Sequence, residues 1–240
     1  MALLKVLLLL GLGVSVNSDV SLQKRIIGGQ NCPDTERLYH VRLENIKGNE
    51  KIRCGGSLIH PQWILTAAHC WKLEPGWTNI AVLKVHPRTV MLQYRVIRPT
   101  PVIYDPGHDI MLLKLQTPVT DVPVARLPDC SYRLKAFDTV QLAGEGATTT
   151  GPNNQRSHLQ CVNMKVVGVS LFKHSHGFIF HAEAPNKDVC YGDTGGAAMY
   201  NDKIYGVISF GEERYACQRP ASILDVCEYK RWIRRRTGLQ

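Results

Sequence analysis

The apolar residues of this chain come in short runs divided by turn signals, and that punctuation limits the fold more than any other feature. Tyr39–Ile46, Ile52–Ile59, Trp63–Ala67, Ile80–Val85, Ile110–Leu115, Val140–Ala143, Leu159–Val167, Ile204–Phe210 and Ala221–Val226 are rich in Val, Ile and Leu and of strand length. Lys47-Gly48-Asn49, Pro99-Thr100-Pro101, Asp105-Pro106-Gly107 and Gly151-Pro152-Asn153-Asn154 separate them. Runs this short bury a face only by pairing with one another, which predicts a β-sandwich or barrel. The C-terminal stretch differs. Glu228–Arg236 reads as a terminal helix, capped by Asp225 or a neighbour, with Trp232 and Ile233 docking on the body. Lys230, Arg231, Arg234, Arg235 and Arg236 stand toward the helix end whose dipole favours positive charge. No internal repeat or low-complexity linker divides the 240 residues, and an all-β unit of this length is often one domain.

The N-terminus sets the compartment. Lys5, an apolar stretch from Val6 to Val14 and small residues up to Ser18 read as a secretory signal peptide, residues 1–18. The stretch falls short of the ~20 residues that span a bilayer, so no membrane span is expected. Eight cysteines fit the oxidising route that secretion implies. Residues 19–25 end in the dibasic Lys24-Arg25, directly before Ile26-Ile27-Gly28-Gly29, and read as an activation propeptide. The remaining domain, 26–240, keeps every cysteine. No Asn-x-Ser/Thr acceptor occurs, so N-glycosylation is not expected.

Three segments carry chemistry: LTAAHC (Leu65 to Cys70), HDIMLLKL (His108 to Leu115) and DVCYGDTGG (Asp188 to Gly196). Singly, a His, an Asp and a glycine-rich turn say little. Together with IIGG behind a basic site, CGGSLI (Cys54 to Ile59), LQC (Leu159 to Cys161) and VISFG (Val207 to Gly211), they resemble the trypsin/chymotrypsin family of secreted serine proteases. The chain order His, Asp, nucleophile is also that family's order. The resemblance runs from Ile26 to about Arg236. It implies an all-β fold of two packed six-stranded antiparallel barrels with a C-terminal α-helix, and a cleft between the barrels.

On that resemblance His69 would be the base and Asp109 its orienting carboxylate. The N–H groups of Gly192 and Thr194 would form the oxyanion hole. Asp188 would be the acidic base of a specificity pocket suited to Arg or Lys, with Ser209, Gly211 and Ala221 along its walls. Cleavage after Arg25 would free the Ile26 ammonium to pair with Asp193. The family's bridges would be Cys32–Cys161, Cys54–Cys70, Cys130–Cys227 and Cys190–Cys217; spacing alone leaves every pairing open. A bridge common in trypsins is absent at both ends, Val140 and Tyr200.

One departure governs the functional expectation. Thr194 stands where the family has its nucleophilic serine. The β-branch stiffens χ1, and a hydroxyl displaced by ~1 Å can cost about 10²-fold in rate. Threonine nucleophiles elsewhere are typically N-terminal and use their own amine as base, whereas Thr194 is internal. Ala221, Val189, Ala197, Phe210 and Glu145 depart from the family as well, the last two where tryptophan is usual. These changes together read as relaxed selection for cleavage. The chain is therefore expected to be a pseudoprotease with hydrolysis weakened or lost. The alternative is an active Thr-nucleophile endopeptidase cleaving after Arg or Lys, made as a zymogen cut at Arg25–Ile26.

The net charge of +9 and the cationic helix suggest sulfated glycosaminoglycans as partners besides a peptide or protein, and no motif points to nucleic acid. A monomer is expected. No cofactor or metal is expected: His174, His176 and His181 match no strong ligand spacing, and Trp71 to Met91 carries a single acidic residue, Glu74.

Overall fold

A computed structural model describes residues 26–145, 158–169, 176–190, 192–209 and 220–239. The signal and propeptide segments, with Arg25, His174, Phe210, Gly211 and Cys217, lie outside the described residues.

After the two-residue β1 (Gln30–Asn31), the first half of the chain supplies β2 (His40–Lys47), β3 (Glu50–His60), β4 (Trp63–Thr66), β5 (Thr78–Leu83), β6 (Gln93–Val96), β7 (Val102–Ile103) and β8 (Met111–Lys114). They form one sheet in the order β6-β5-β2-β3-β4-β8-β7. Its ends curl together: Ile97 bridges Leu115, just past β6 and β8, with Arg98 N–H donating to Lys114 O at 2.8 Å. The second half supplies β9 (Thr139–Gly144), β10 (Gln160–Val169), β11 (Ile179–Glu183), β12 (Ala197–Tyr200), β13 (Lys203–Ser209) and β14 (Ala221–Asp225). Here the ring closes completely, β9-β10-β11-β14-β13-β12 and back to β9, with β1 added at β10. Every ladder in both halves is antiparallel. A closed ring of short strands leaves no long unpaired edge, which is how such a chain pairs its backbone polar groups.

The two halves meet backbone to backbone. Along β3, Cys54 to Ile59 are buried without alternation, because this end has the second barrel on its outer face. Gly55 N–H donates to Thr194 O at 2.7 Å. A Cβ at Gly55 would lie 2.8 Å from Gly196 N, so only glycine permits this approach. Val140 and Tyr200, the positions of the missing bridge, belong to the apolar packing of the second barrel.

The terminal helix α1 (Val226–Thr237) starts at Asp225, whose side chain accepts the Cys227 N–H, and stops at Gly238 with φ 78°. Its buried side chains Val226, Tyr229, Trp232 and Ile233 join the cluster that contains Val41, Leu58 and Trp63 of the first barrel. The helix follows the second barrel in sequence and packs into a cluster shared by both barrels, which also holds Ile179, Met199 and Leu224 of the second. Cys130–Cys227 ties its first turn to the connector between barrels; Cys32–Cys161 and Cys54–Cys70 are also formed. Cys190 is disulfide-bonded too. Among the described residues, no helix is long and apolar enough to cross a membrane.

Candidate active site

His69 sits in a 3₁₀ turn, Ala68–Cys70, at the end of β4. Asp109 lies on the approach to β8, the strand that pairs with β4, so one ladder delivers both residues. The contact is double. The His69 N–H donates to Asp109 Oδ1 at 2.9 Å, and ring Nδ1 lies 2.8 Å from Oδ2. Ser209, at the end of β13, donates its hydroxyl to the same Oδ2 at 2.5 Å. The Asp109 N–H is held by His176 O at 2.8 Å. Burial pushes the Asp109 carboxyl up, but the His69 and Ser209 hydrogen bonds outweigh it and its pKa is lowered. Asp109 is therefore ionised at neutral pH. An ionised acceptor assigns the ring proton to Nδ1 and leaves Nε2 with its lone pair toward the cleft. The His69 side chain is 47% exposed and its partner's 8%, so the imidazole faces solvent while its carboxylate does not.

The turn Gly192–Gly196 approaches from the other barrel. Asp193 is fully buried; its carboxylate Oδ2 accepts the Cys190 N–H at 2.8 Å, and its carbonyl accepts the Gly196 N–H at 3.0 Å. Gly195 has φ 82°, and a Cβ there would lie 2.3 Å from both Gly55 O and Thr66 Oγ1. Among the described residues the Thr194 N–H has no intramolecular acceptor. Cys70 Sγ lies 3.8 Å from Thr194 O and 3.9 Å from His69 Nε2, so the Cys54–Cys70 bridge packs against both. Thr194 is buried, and among the described residues no hydrogen bond joins its hydroxyl to His69.

The remaining expected residues fall around this turn. Ile26 is buried among Val140, Leu142 and Val189. Ile27 exchanges backbone hydrogen bonds with Asp188, at 2.8 and 3.2 Å. Ala221 is buried at the start of β14, opposite Ala182. The sulfurs of Cys54 and Cys70 lie close to His69, but as a disulfide they are not the thiolates that bind metal. Sequence reading placed Ser209 along a pocket wall and missed its hydroxyl on Asp109. It also missed that Glu145 is met by Arg42 from the other barrel, since such a partnership across the fold has no local sequence signal.

A histidine held by a buried carboxylate on one barrel, facing a glycine-rich turn on another, is matched by the family model for trypsin over residues 26–233. The chain belongs to the trypsin family. It is 32% identical to trypsin-4 of Rattus norvegicus over 237 residues, covering 92% of this chain and 94% of that one. It is 30% identical to kallikrein-2 of Homo sapiens, with 89% and 90% covered. The structure of neuropsin, a serine protease expressed in the limbic system of mouse brain, superposes with a TM-score of 0.66 at 22% identity, covering 87% of this chain and 98% of that one. The trypsin-like fold is shared throughout.

Proposed function

We propose that this trypsin-family chain is a secreted pseudoprotease that works by binding a peptide or protein in its cleft, with Thr194 in the nucleophile position leaving hydrolysis weak or lost. The observation that carries this reading is the separation of roles in the site. The base side, His69 with Asp109 and Ser209, is tied together by hydrogen bonds, while the Thr194 hydroxyl has no hydrogen bond to His69. Without that hydrogen bond the base is not engaged with the hydroxyl's proton, and a hydroxyl held by a stiff β-branched rotamer turns less readily toward it. The unclaimed Thr194 N–H would still polarise a carbonyl, so a bound peptide gains from that donor without being cut.

The second reading is a slow endopeptidase that cleaves after Arg or Lys once Arg25–Ile26 is cut. Buried Asp193 and Ile26, and Asp188 held against Ile27, favour it. In that case His69 Nε2 takes the Thr194 proton and returns it to the leaving amine, with Asp109 stabilising the imidazolium. The test is an arginyl-ester assay of protein cut after Arg25, run beside Thr194→Ser and Thr194→Ala. The proposal expects the native rate to equal that of Thr194→Ala while Thr194→Ser gains about 10²-fold or more. A native rate close to that of Thr194→Ser makes it an enzyme.

Arg231, Arg234, Arg235 and Arg236 are all exposed on α1, which favours a sulfated polyanion as an additional partner. Heparin retention that weakens steeply with salt is the expected outcome; retention unchanged after these arginines are replaced by serine overturns it.

A further inference from the structure

Behind the Gly192–Gly196 turn lies a second charged cluster, separate from His69 and Asp109. Arg42 on β2 donates from Nε to Glu145 Oε2 at 2.8 Å, and from a terminal nitrogen to the same oxygen. His40 Nε2 is 3.5 Å from Glu145 Oε1. Glu44 lies 3.5 Å from Arg42 and is itself met by Lys51 at 2.7 Å and Arg53 at 3.5 Å. His40, Arg42, Glu44 and Glu145 are each more than nine-tenths buried. Ion pairs are rarely placed so deep, because desolvating both charges is expensive unless the geometry returns it.

The position of this cluster gives it a role. Glu145 directly follows β9, whose last residue is Gly144. A Cβ at Gly144 would lie 2.1 Å from Asp193 Oδ1, so the β9 backbone presses on the buried aspartate of the turn. On the other side, a Cβ at Gly55 would touch both His40 Cε1, at 3.4 Å, and Gly196 N, at 2.8 Å. The Gly55 N–H holds Thr194 O. The charged cluster and the turn thus share the same two glycine walls, one from each barrel.

We propose that Arg42 and Glu145, with His40 beside them, form a charged latch between the barrels that positions the turn bearing Asp193 and Thr194. Arg42 draws the end of β9 toward β2, which sets Gly144 against Asp193 and Gly55 against Thr194. Sequence reading took Glu145 for one of several signs of decay. Its burial opposite a guanidinium supplied from 103 residues away makes it half of a matched pair. These are positioning residues, and the latch acts whether or not Thr194 is a nucleophile.

The test reads hydrogen exchange at the Gly195 and Gly196 amides, which bond to Ile208 O at 2.8 Å and Asp193 O at 3.0 Å. Amides of β8 and β11 serve as reporters of global opening. The full chain is compared with Arg42→Met, Glu145→Met and the double variant. Each single change leaves one member of the pair buried without the other, and exchange at the turn is expected to rise at least about tenfold beyond any rise shared by β8 and β11. The double variant, with both charges gone, is expected to return to within about threefold of native. If a methionine single variant does not fold, Glu145→Gln, which keeps the shape and removes the charge, is read in the same way. A rise shared equally by β8 and β11, no rise at the turn, or no recovery in the double variant overturns the latch. None of these readings uses hydrolysis, so failure of the functional proposal leaves this test intact.

Discussion

Asp109 and Glu145 are both buried carboxylates near the same glycine-rich turn, and they are kept ionised by different means. Asp109 faces a histidine that is half exposed and a serine hydroxyl. Glu145 faces a guanidinium as buried as itself, with the buried His40 imidazole 3.5 Å from its other oxygen. The first partner is an imidazole that can donate at one ring nitrogen and accept at the other; the second is a guanidinium that only donates. One carboxylate is therefore coupled to solvent through its partner and suited to chemistry. The other is a fixed charge in a sealed seam and suited to holding geometry. Burial of a carboxylate does not by itself mark an active group; the partner decides.

The most severe way to break the contrast is Arg42→Met. Glu145 then stays buried with its main countercharge gone, and unfolding by urea is expected to show a loss of about 3–5 kcal/mol. Asp109→Asn should cost far less stability, yet in a Thr194→Ser background it should lower arginyl-ester turnover by about 10⁴-fold, because the amide favours the wrong imidazole tautomer. Equal stability losses for the two variants would erase the distinction.

Acid sharpens it. Burial pushes the Glu145 carboxyl up, but His40 and Arg42 outweigh it and hold it down to about 2, against 4.5 for a free glutamate. A depressed folded-state pKa contributes stability that is present above the unfolded value and lost as the pH falls from about 4.5 through about 2. The groups facing Glu145 are His40 and Arg42, and Arg42 also faces Glu44 with Lys51 and Arg53 behind it. Over that window the native protein should lose about 3 kcal/mol that Glu145→Gln does not lose. Parallel acid-unfolding curves for the two proteins would contradict the assignment.

The smallest effect is expected at the surface counterpart. Arg133, 47% exposed, bridges Asp225 at 2.8 Å and also contacts Glu228. Arg133→Ala should cost under about 1 kcal/mol and depend on salt, whereas the Arg42–Glu145 pair should be indifferent to salt. Thermal unfolding at low and high ionic strength separates the two.

What could be read in the sequence were features written in neighbouring residues. β2, β3, β4, β9, β10, β13 and β14 fall on runs of Val, Ile and Leu, and Asp225 caps the helix it precedes. β6, β11 and β12 went unassigned for local reasons. QYRV has one exposed face, IFHAE carries a histidine and a glutamate, and AAMY opens with alanines of weak strand preference. Their strand character comes from the neighbouring strands that each sheet supplies. At the site, His69, Asp109 and the glycine turn were legible because each lies in a dense motif. The Ser209 hydroxyl on Asp109 and the Arg42–Glu145 pair join residues about a hundred positions apart, and no periodicity encodes a contact between barrels.

The docking of α1 has a consequence for the order of synthesis. Tyr229, Trp232 and Ile233 share a buried cluster with Val41, Leu58 and Trp63 of the first barrel and Met199 and Leu224 of the second, so the half of the chain made first lacks some of its packing partners until α1 leaves the ribosome. The nascent first barrel must then wait, incompletely packed, through the whole translation of the second. The shared cluster closes only once α1 has been made.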